Sequence, residues 1–235
     1  MATEDDLEAD VDSVFRMAFE EREGRKVPAT GDVALSNGAV KIEAAFLYAD
    51  LAGSAGIAAT CPWKTTAKII RAYLKCATRL MRLHGGEIRS FDGDRVMGVF
   101  MGDTMCTDAV TCALKIHWAT EHVIQEKARK TFSSVRDNDV EIQQACGIDV
   151  GTARAVRAGI RNNNDLVWIG RAPSLSAKLS DAREFPYCTF ITSAVLRELD
   201  EGLVRAGERS MWEERSFDFA GRQERVHRSD FWCLP

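Results

Sequence analysis

Two carboxylates are the first residues in this sequence whose type and placement suit chemistry. Asp50 closes the apolar stretch IEAAFLYAD, and Asp94 opens the second arm of an expected hairpin in EIRSFDGDRVMGVFM. A strand, then a helix, then a hairpin lets the two paired strands lie side by side, with both carboxylates at one edge of the sheet. Two hard oxygen anions a few ångströms apart suit Mg²⁺ or Mn²⁺, which bind through one or two carboxylates together with substrate phosphates. The backbone N–H groups of Leu51, Ala52, Gly53 and Ser54, at a turn leading towards a helix, suit phosphate oxygens. A plainer reading stands beside this one: Asp50 caps the turn, and Asp92 and Asp94 are hairpin-turn residues. Spacing alone leaves both open.

The bulk composition narrows the classes. The chain has 235 residues, 46% hydrophobic and 28% charged, which predicts one sizeable domain with extensions. A net charge of −4 argues against a nucleic-acid-binding face, so a polyanionic ligand must be met locally, by metals or a few Lys and Arg. The seven cysteines are scattered with no CxxC pair, which predicts reduced, mostly buried thiols. The four histidines do not cluster, and His117 and His122 are wrongly spaced for one helix face, so no zinc site is expected. MATEDDLEAD lacks an apolar leader core, and no run approaches about 18 apolar residues. The expectation is a soluble, cytoplasmic protein with no membrane partner.

The elements that must position the aspartates follow from periodicity. Residues 1–38 read as an N-terminal helix and linker, and 39–235 as the main domain. Leu7, Val11, Val14, Phe15 and Phe19 predict a helix over Asp6 to Arg22, suited to packing on a partner or neighbour, and KVPATGDVALSNGA predicts a linker. IEAAFLYAD predicts a strand buried on both faces. A long helix is expected from Lys64 to Leu83, stopped by Gly85-Gly86. Asp92-Gly93 signals a hairpin turn. A second long helix starts near Asp103-Thr104 and fades into the polar stretch EKARKTFSSVRDND. IQQACGIDVG and ARAVRAGI predict a strand pair around Gly151-Thr152, NNND a turn, and Ala172 to Ala182 a helix. CTFIT, SAVLREL and a closing strand pair complete an α+β sandwich, with helices against a largely antiparallel sheet.

Taken together, FLYADLAGS and GGEIRSFDGDRVMGVF resemble the signature pair of class III nucleotidyl cyclases, whose two metal-binding aspartates fall on Asp50 and Asp94. GIDVGTARAVRAG and WIGRAPSLSAKLSD resemble that family's next blocks, in the right order over roughly residues 40–195. The resemblance implies a ferredoxin-like, mostly antiparallel catalytic domain that works as a homodimer with active sites at the subunit interface. It implies two Mg²⁺ or Mn²⁺ ions per site and attack of a ribose 3′-hydroxyl on the α-phosphate of a nucleoside triphosphate, releasing pyrophosphate. Cyclisation is intramolecular, so holding the hydroxyl in line is most of the task, with fixed cations stabilising the developing charge.

The departures from purine cyclases are as telling as the matches. The family's base-reading Lys or Glu falls on Ser90, and its second base reader on Val167. The Asn and Arg that orient ribose and stabilise charge fall on Ser174 and Lys178, the latter a point charge in place of a bidentate fork. Side chains two apart on a strand share a face, so Tyr48 is expected beside Asp50, shrinking the base pocket towards a pyrimidine. Its alternative is a place in the core layer. Arg95 either turns to the base or phosphates or is a salt-bridged surface residue.

YADLAGS, RSFDGDRVMGVF and GRAPSLSAK resemble the pyrimidine cyclases of bacterial antiphage Pycsar systems, which make a cyclic pyrimidine nucleotide that acts on a separate effector protein. A uridylate cyclase is favoured over a cytidylate cyclase because a donor such as Arg95 suits the C4 carbonyl of uracil. Two other readings remain. A degenerate domain would sense nucleotides without turnover, although both metal aspartates are kept. A receiver-like α/β domain with a phosphoacceptor at Asp50 is opposed by the hairpin at Asp92-Gly93.

Overall fold

A computed structural model describes residues 2–235. In chain order the elements are α1 (Glu4–Phe15), β1 (Glu20–Glu23), β2 (Gly38–Ala52), α2 (Ser54–Thr60), α3 (Trp63–Leu83), β3 (Glu87–Asp92), β4 (Arg95–Phe100) and α4 (Met105–Trp118). A π-helical stretch, Ala119–Gln125, joins α4 to α5 (Glu126–Thr131), with α6 (Ser133–Asp137) behind it. Then come β5 (Gln143–Ile160), β6 (Asn163–Ile169), α7 (Arg171–Ser180), β7 (Thr189–Thr192) and α8 (Ser193–Arg197). A small ribbon of β8 (Arg205–Ala206) and β9 (Arg209–Ser210) precedes β10 (Glu213–Phe219) and β11 (Arg222–Ser229). The chain divides into two compact units: the residues up to Ile42 with Arg154–Ile169, and Glu43–Ala153 with Gly170–Pro235.

In the smaller unit β1 runs parallel to the start of β2, from Glu20↔Gly38 to Glu23↔Lys41. The outer half of β5 pairs antiparallel with β6, from Arg154↔Ile169 to Ile160↔Asn163. The turn between them holds Asn162 at φ 71°, a left-handed conformation that Asn tolerates. Arg154 ion-pairs with Glu21. Helix α1 opens with a Thr3–Asp6 capping box, and its apolar residues Leu7, Val11, Val14 and Phe15 are all exposed. It ends seven residues earlier than the periodicity predicts, because Glu20–Glu23 takes its hydrogen bonds from the edge of β2 instead. The segment expected as a linker carries a 3₁₀ turn at Thr30–Asp32 and two buried valines, Val27 and Val33.

In the larger unit the sheet runs β10, β11, β7, β5, β2, β4, β3. The pairs β10–β11, β11–β7, β2–β4 and β4–β3 are antiparallel, and β5–β7 is parallel. The two sheet faces are divided by strand alternation. Ala45, Leu47, Ala49 and Leu51 of β2, Val96 and Phe100 of β4, and Cys146 and Ile148 of β5 enter the main core with Ile69, Tyr73, Ala77 and Met81 of α3 and the buried side of α4. Ala145 of β5, Phe190 of β7 and Val226 of β11 point the other way and meet Leu175 and Leu179 of α7. Each large aliphatic group so buried is worth roughly 1.5–3 kcal/mol. The expected α+β class is therefore observed.

Helix α3 stops as its sequence dictates. Gly85 adopts φ 76°, and the N–H of Gly86 bonds Met81 O at 2.8 Å, closing the last turn. Three expectations are corrected. The polar stretch after α4 is helical, as α5 and α6, because Ala128 and Val135 are buried and give it an apolar side. No strand pair forms around Gly151-Thr152: residues 143–160 are one strand whose outer half finds its partner in β6. The β3–β4 turn residues are Gly93 and Asp94, since Asp92 pairs with Arg95; Asp94 sits in the turn and not at the head of the strand. All seven cysteines are unpaired, five of them buried, and burial pushes the Cys188 thiol up to about 12.

Helix α7 lies so close to β5 that Gly147 is required. A Cβ there would stand 2.2 Å from Ser176 O and 2.5 Å from Ser180 N, both backbone atoms that cannot rotate away. Gly147→Ala is expected to destabilise by about 3 kcal/mol, lowering the melting temperature by about 6–12 °C in a thermal denaturation series.

Candidate active site

The β2–β4 register builds the site. Asp50 stands directly opposite Arg95, and Tyr48 opposite Met97. On the far side of β4, Asp92 pairs with Arg95 and Ser90 with Met97. A bulge at Arg89 shifts β3 by one residue and brings Ser90 into that row. Two rows therefore cross the three strands on one face: Tyr48, Met97, Ser90 and, next to it, Asp50, Arg95, Asp92. This is the face away from the α3–α4 core. Tyr48 is thus on Asp50's face and half-buried, and not in the core layer.

Asp50 is 9% exposed. Burial pushes its carboxyl above the ordinary value; a hydrogen bond from Arg183 pulls it down, and the charge of Asp94 pushes it up again. The second expected metal ligand thus stands close enough for its charge to act on Asp50. Arg183 Nη2 lies 2.5 Å from Asp50 Oδ2, and its Nη1 donates to Ser180 O at 2.8 Å and Ala182 O at 3.0 Å. Arg95 meets the salt-bridged reading, although it is half-buried and not at the surface. It is salt-bridged, to Asp92 and Asp181 at 3.0 Å each, and its guanidinium lies 5.7 Å from the Tyr48 ring centroid. Burial works against its charge, but the bond to Asp92 and the charges of Asp181 and Asp50 hold it firmly protonated. Its Nε has no hydrogen-bond partner among the described residues. Burial raises the Tyr48 hydroxyl above its ordinary value, so the phenol stays protonated.

The other expected residues are arranged differently. Strand β2 continues through Ala52, so Leu51 and Ala52 are ladder residues with buried side chains, and only Gly53, at φ 68°, forms the turn. Ser174 and Lys178 lie one turn apart on the exposed side of α7. Ser174 Oγ donates to Gly170 O, and Lys178 Nζ is 3.7 Å from Asp181. Neither bonds to Asp50 or Asp94, so a single chain does not bring the expected catalytic pair to the expected metal pair. Val167 lies on β6, 43% exposed. Arg171, considered for the triphosphate, is engaged elsewhere: it bonds Asp149 at 2.7 Å and Glu224 at 2.8 Å. Sequence reasoning missed Asp181 and Arg183, which follow α7 in SDAREF and reach back over the sheet.

The donor set fits a divalent ion bound jointly with phosphates. Asp50 near the end of β2 and Asp94 in the β3–β4 turn supply hard oxygens, and among the described residues no group of three or more His, Cys, Asp or Glu forms an all-protein cage. A cavity of about 460 Å³ opens at the turn after β2, lined by Ala52, Gly53, Gly56, Thr60 and Arg183, among others.

The fold is that of the class III nucleotidyl cyclases. The adenylyl cyclase CyaB from P. aeruginosa superposes with a TM-score of 0.67 at 16% identity, over 81% of this chain and 95% of that one. The guanylyl cyclase Cya2 gives 0.64 at 16% identity, over 80% and 91%. No family model matches the chain. Two relatives are much nearer in sequence: a uridylate cyclase of Rhodovulum sp. (strain MB263), 41% identical over 100% of this chain and 99% of that one, and a uridylate cyclase of Burkholderia cepacia, 40% identical over 94% and 95%. The chain belongs to the uridylate cyclase family of class III nucleotidyl cyclases. No helix among the described residues is long and apolar enough to cross a membrane.

The Asp149–Arg171 contact anchors α7 and carries a pH prediction. Asp149 is fully buried, accepts from Thr192 Oγ1 at 2.6 Å and from Arg171, and burial raises its carboxyl above the ordinary value. A folded-state value raised above the unfolded one means that stability is highest at low pH and falls as pH rises through that interval. Arg171→Met removes an influence that holds the value down, so the fall deepens. Because Arg171 is half-exposed, the expected loss is about 1–3 kcal/mol at pH 7.5 and less at pH 4.5, read from denaturant unfolding at both.

Proposed function

We propose that this chain is a uridylate cyclase that converts UTP to 3′,5′-cyclic UMP and pyrophosphate. The row Tyr48–Met97–Ser90, lying against Asp50–Arg95–Asp92, is the observation that carries the reading. The 3′-oxygen forms a bond to the α-phosphorus, the bond from that phosphorus to the bridging oxygen breaks, pyrophosphate leaves, and the hydroxyl proton passes to solvent. Asp50 and Asp94 hold Mg²⁺ or Mn²⁺, two per site, which when bound lower the hydroxyl's pKa and stabilise charge on the phosphoryl oxygens.

The chain's own residues do the recognition. Tyr48 narrows the space above the sheet to a single-ring base, and its protonated phenol offers a hydrogen bond. Ser90, small and uncharged, replaces the ionic readers that purines require. Arg95 is fixed by two carboxylates and stacked on Tyr48, which leaves a preorganised donor for a carbonyl acceptor such as uracil O4. That fixing supports UTP over CTP, whose C4 amine is itself a donor. Gly53, in the turn after β2, offers its backbone N–H at the phosphate end. Ser174 and Lys178 face outward on α7, which supports their acting on the site of a second copy in a homodimer: Ser174 as a hydrogen-bond donor to ribose, Lys178 as a positive charge on the phosphoryl group. The product then serves as a second messenger to a separate effector in antiphage defence.

Incubation with each of the four nucleoside triphosphates and Mn²⁺, with products resolved by mass, is expected to give cyclic UMP; a cyclic purine would overturn the pyrimidine assignment. Asp50→Ala and Asp94→Ala are each expected to lower turnover by about 100-fold or more with circular dichroism unchanged. An active Asp94→Ala protein would contradict the metal pair. Tyr48→Ala is expected to lower kcat/KM for UTP by about 10–100-fold and to narrow the preference over purines.

A further inference from the structure

Arg183 does not fit the role of a bystander. Its Nη2 closes on Asp50 Oδ2 at 2.5 Å, the very carboxylate proposed to hold metal. It also lines the 460 Å³ cavity beside Gly53 and Gly56. Around that cavity the other lining groups are neutral or acidic: Asn138, Glu141, Gln143, Thr60 and apolar side chains. Gly53 and Gly56 project nothing into it, and a Cβ built at either meets no atom within 4 Å. The cavity is therefore open, faces the turn where the phosphates are expected, and carries one guanidinium. Arg183 is 37% exposed at the side chain, held on Nη1 by the carbonyls of Ser180 and Ala182 and on Nη2 by Asp50 alone.

We infer that Arg183 is a displaceable counter-ion that couples metal entry to triphosphate capture within one chain; this rests on the reading of Asp50 as a metal ligand. Without metal, the guanidinium neutralises a nearly buried carboxylate that would otherwise stand close to Asp94 with only Arg95, already engaged by Asp92 and Asp181, to offset its charge. A divalent ion at Asp50 repels it. The nearest place for the released fork is the cavity it already borders, where two oxygens of the substrate's phosphate tail provide a bidentate acceptor for the planar guanidinium. Metal and polyphosphate then bind better together than either alone.

The test uses the full-length protein and probes without a base. Mn²⁺ alone is titrated by electron paramagnetic resonance, and inorganic tripolyphosphate by calorimetry in saturating Mn²⁺, for wild type, Arg183→Met and Arg183→Lys, with melting curves to establish folding. Arg183→Met is expected to bind Mn²⁺ alone several-fold more tightly and tripolyphosphate about tenfold or more weakly, the loss of one charge-assisted contact. Arg183→Lys, which keeps the charge and loses the fork, is expected to lie between, and it carries the test by itself if Arg183→Met does not fold. Unchanged or weaker Mn²⁺ binding, or unchanged tripolyphosphate binding, overturns the inference. Neither probe contains a nucleobase, so a purine product in the four-nucleotide assay would remove the uridine assignment and leave these affinities standing.

Discussion

The β2–β4 register is the constraint on which everything else hangs. Side chains alternate across a strand, so a slip of β2 by one residue would turn Tyr48 and Asp50 into the α3–α4 core and bring Leu47 and Ala49 out to the opposite face. Burial of that apolar set, with Ile69, Tyr73 and Met81 of α3 above it, makes the slipped pairing far less stable. The core thus fixes the chemistry indirectly. It determines which way the strands face, and the polar residues are carried to the opposite side.

That opposite side is built from charges that balance in pairs. Arg95 is held between Asp92 and Asp181, and Asp50 is met by Arg183. A half-buried cluster of this kind is stable only if each charge keeps a partner, because an unpaired one loses hydration without return. Three of the five charges come from the hairpin and β2, and two from the segment after α7. The face is complete only when α7 is seated, and α7 is seated by the Gly147 contact at its middle and by Arg171 on buried Asp149 at its start.

Much of this was legible in the sequence. The strand ending at Asp50, the helix stopped by Gly85, and the hairpin are local signals with local causes, and each appears within a residue or two of its expected place. Tyr48 and Asp50 share a face by simple alternation. What was hidden depends on pairing between distant segments. The bulge at Arg89, which brings Ser90 level with Met97, leaves no mark in composition. Gly151-Thr152 looks like a turn in isolation, but β6 offers a partner that keeps the strand running. Helix α1 ends early because β2 offers Glu20–Glu23 an edge. Arg183 is one of many arginines in the chain, and only the path of SDAREF back over the sheet separates it from the rest.

The exit of α7 has a mechanical consequence. Asp181 grips the side chain that stacks on Tyr48, and Arg183, two positions later, grips the carboxylate at the end of β2. One short piece of backbone therefore steadies both Arg95, beside the Tyr48 ring, and Asp50, near the end of β2. The two side chains share a single strut. If the helix rocks on its glycine bearing, both grips must loosen or tighten together, and neither can drift alone.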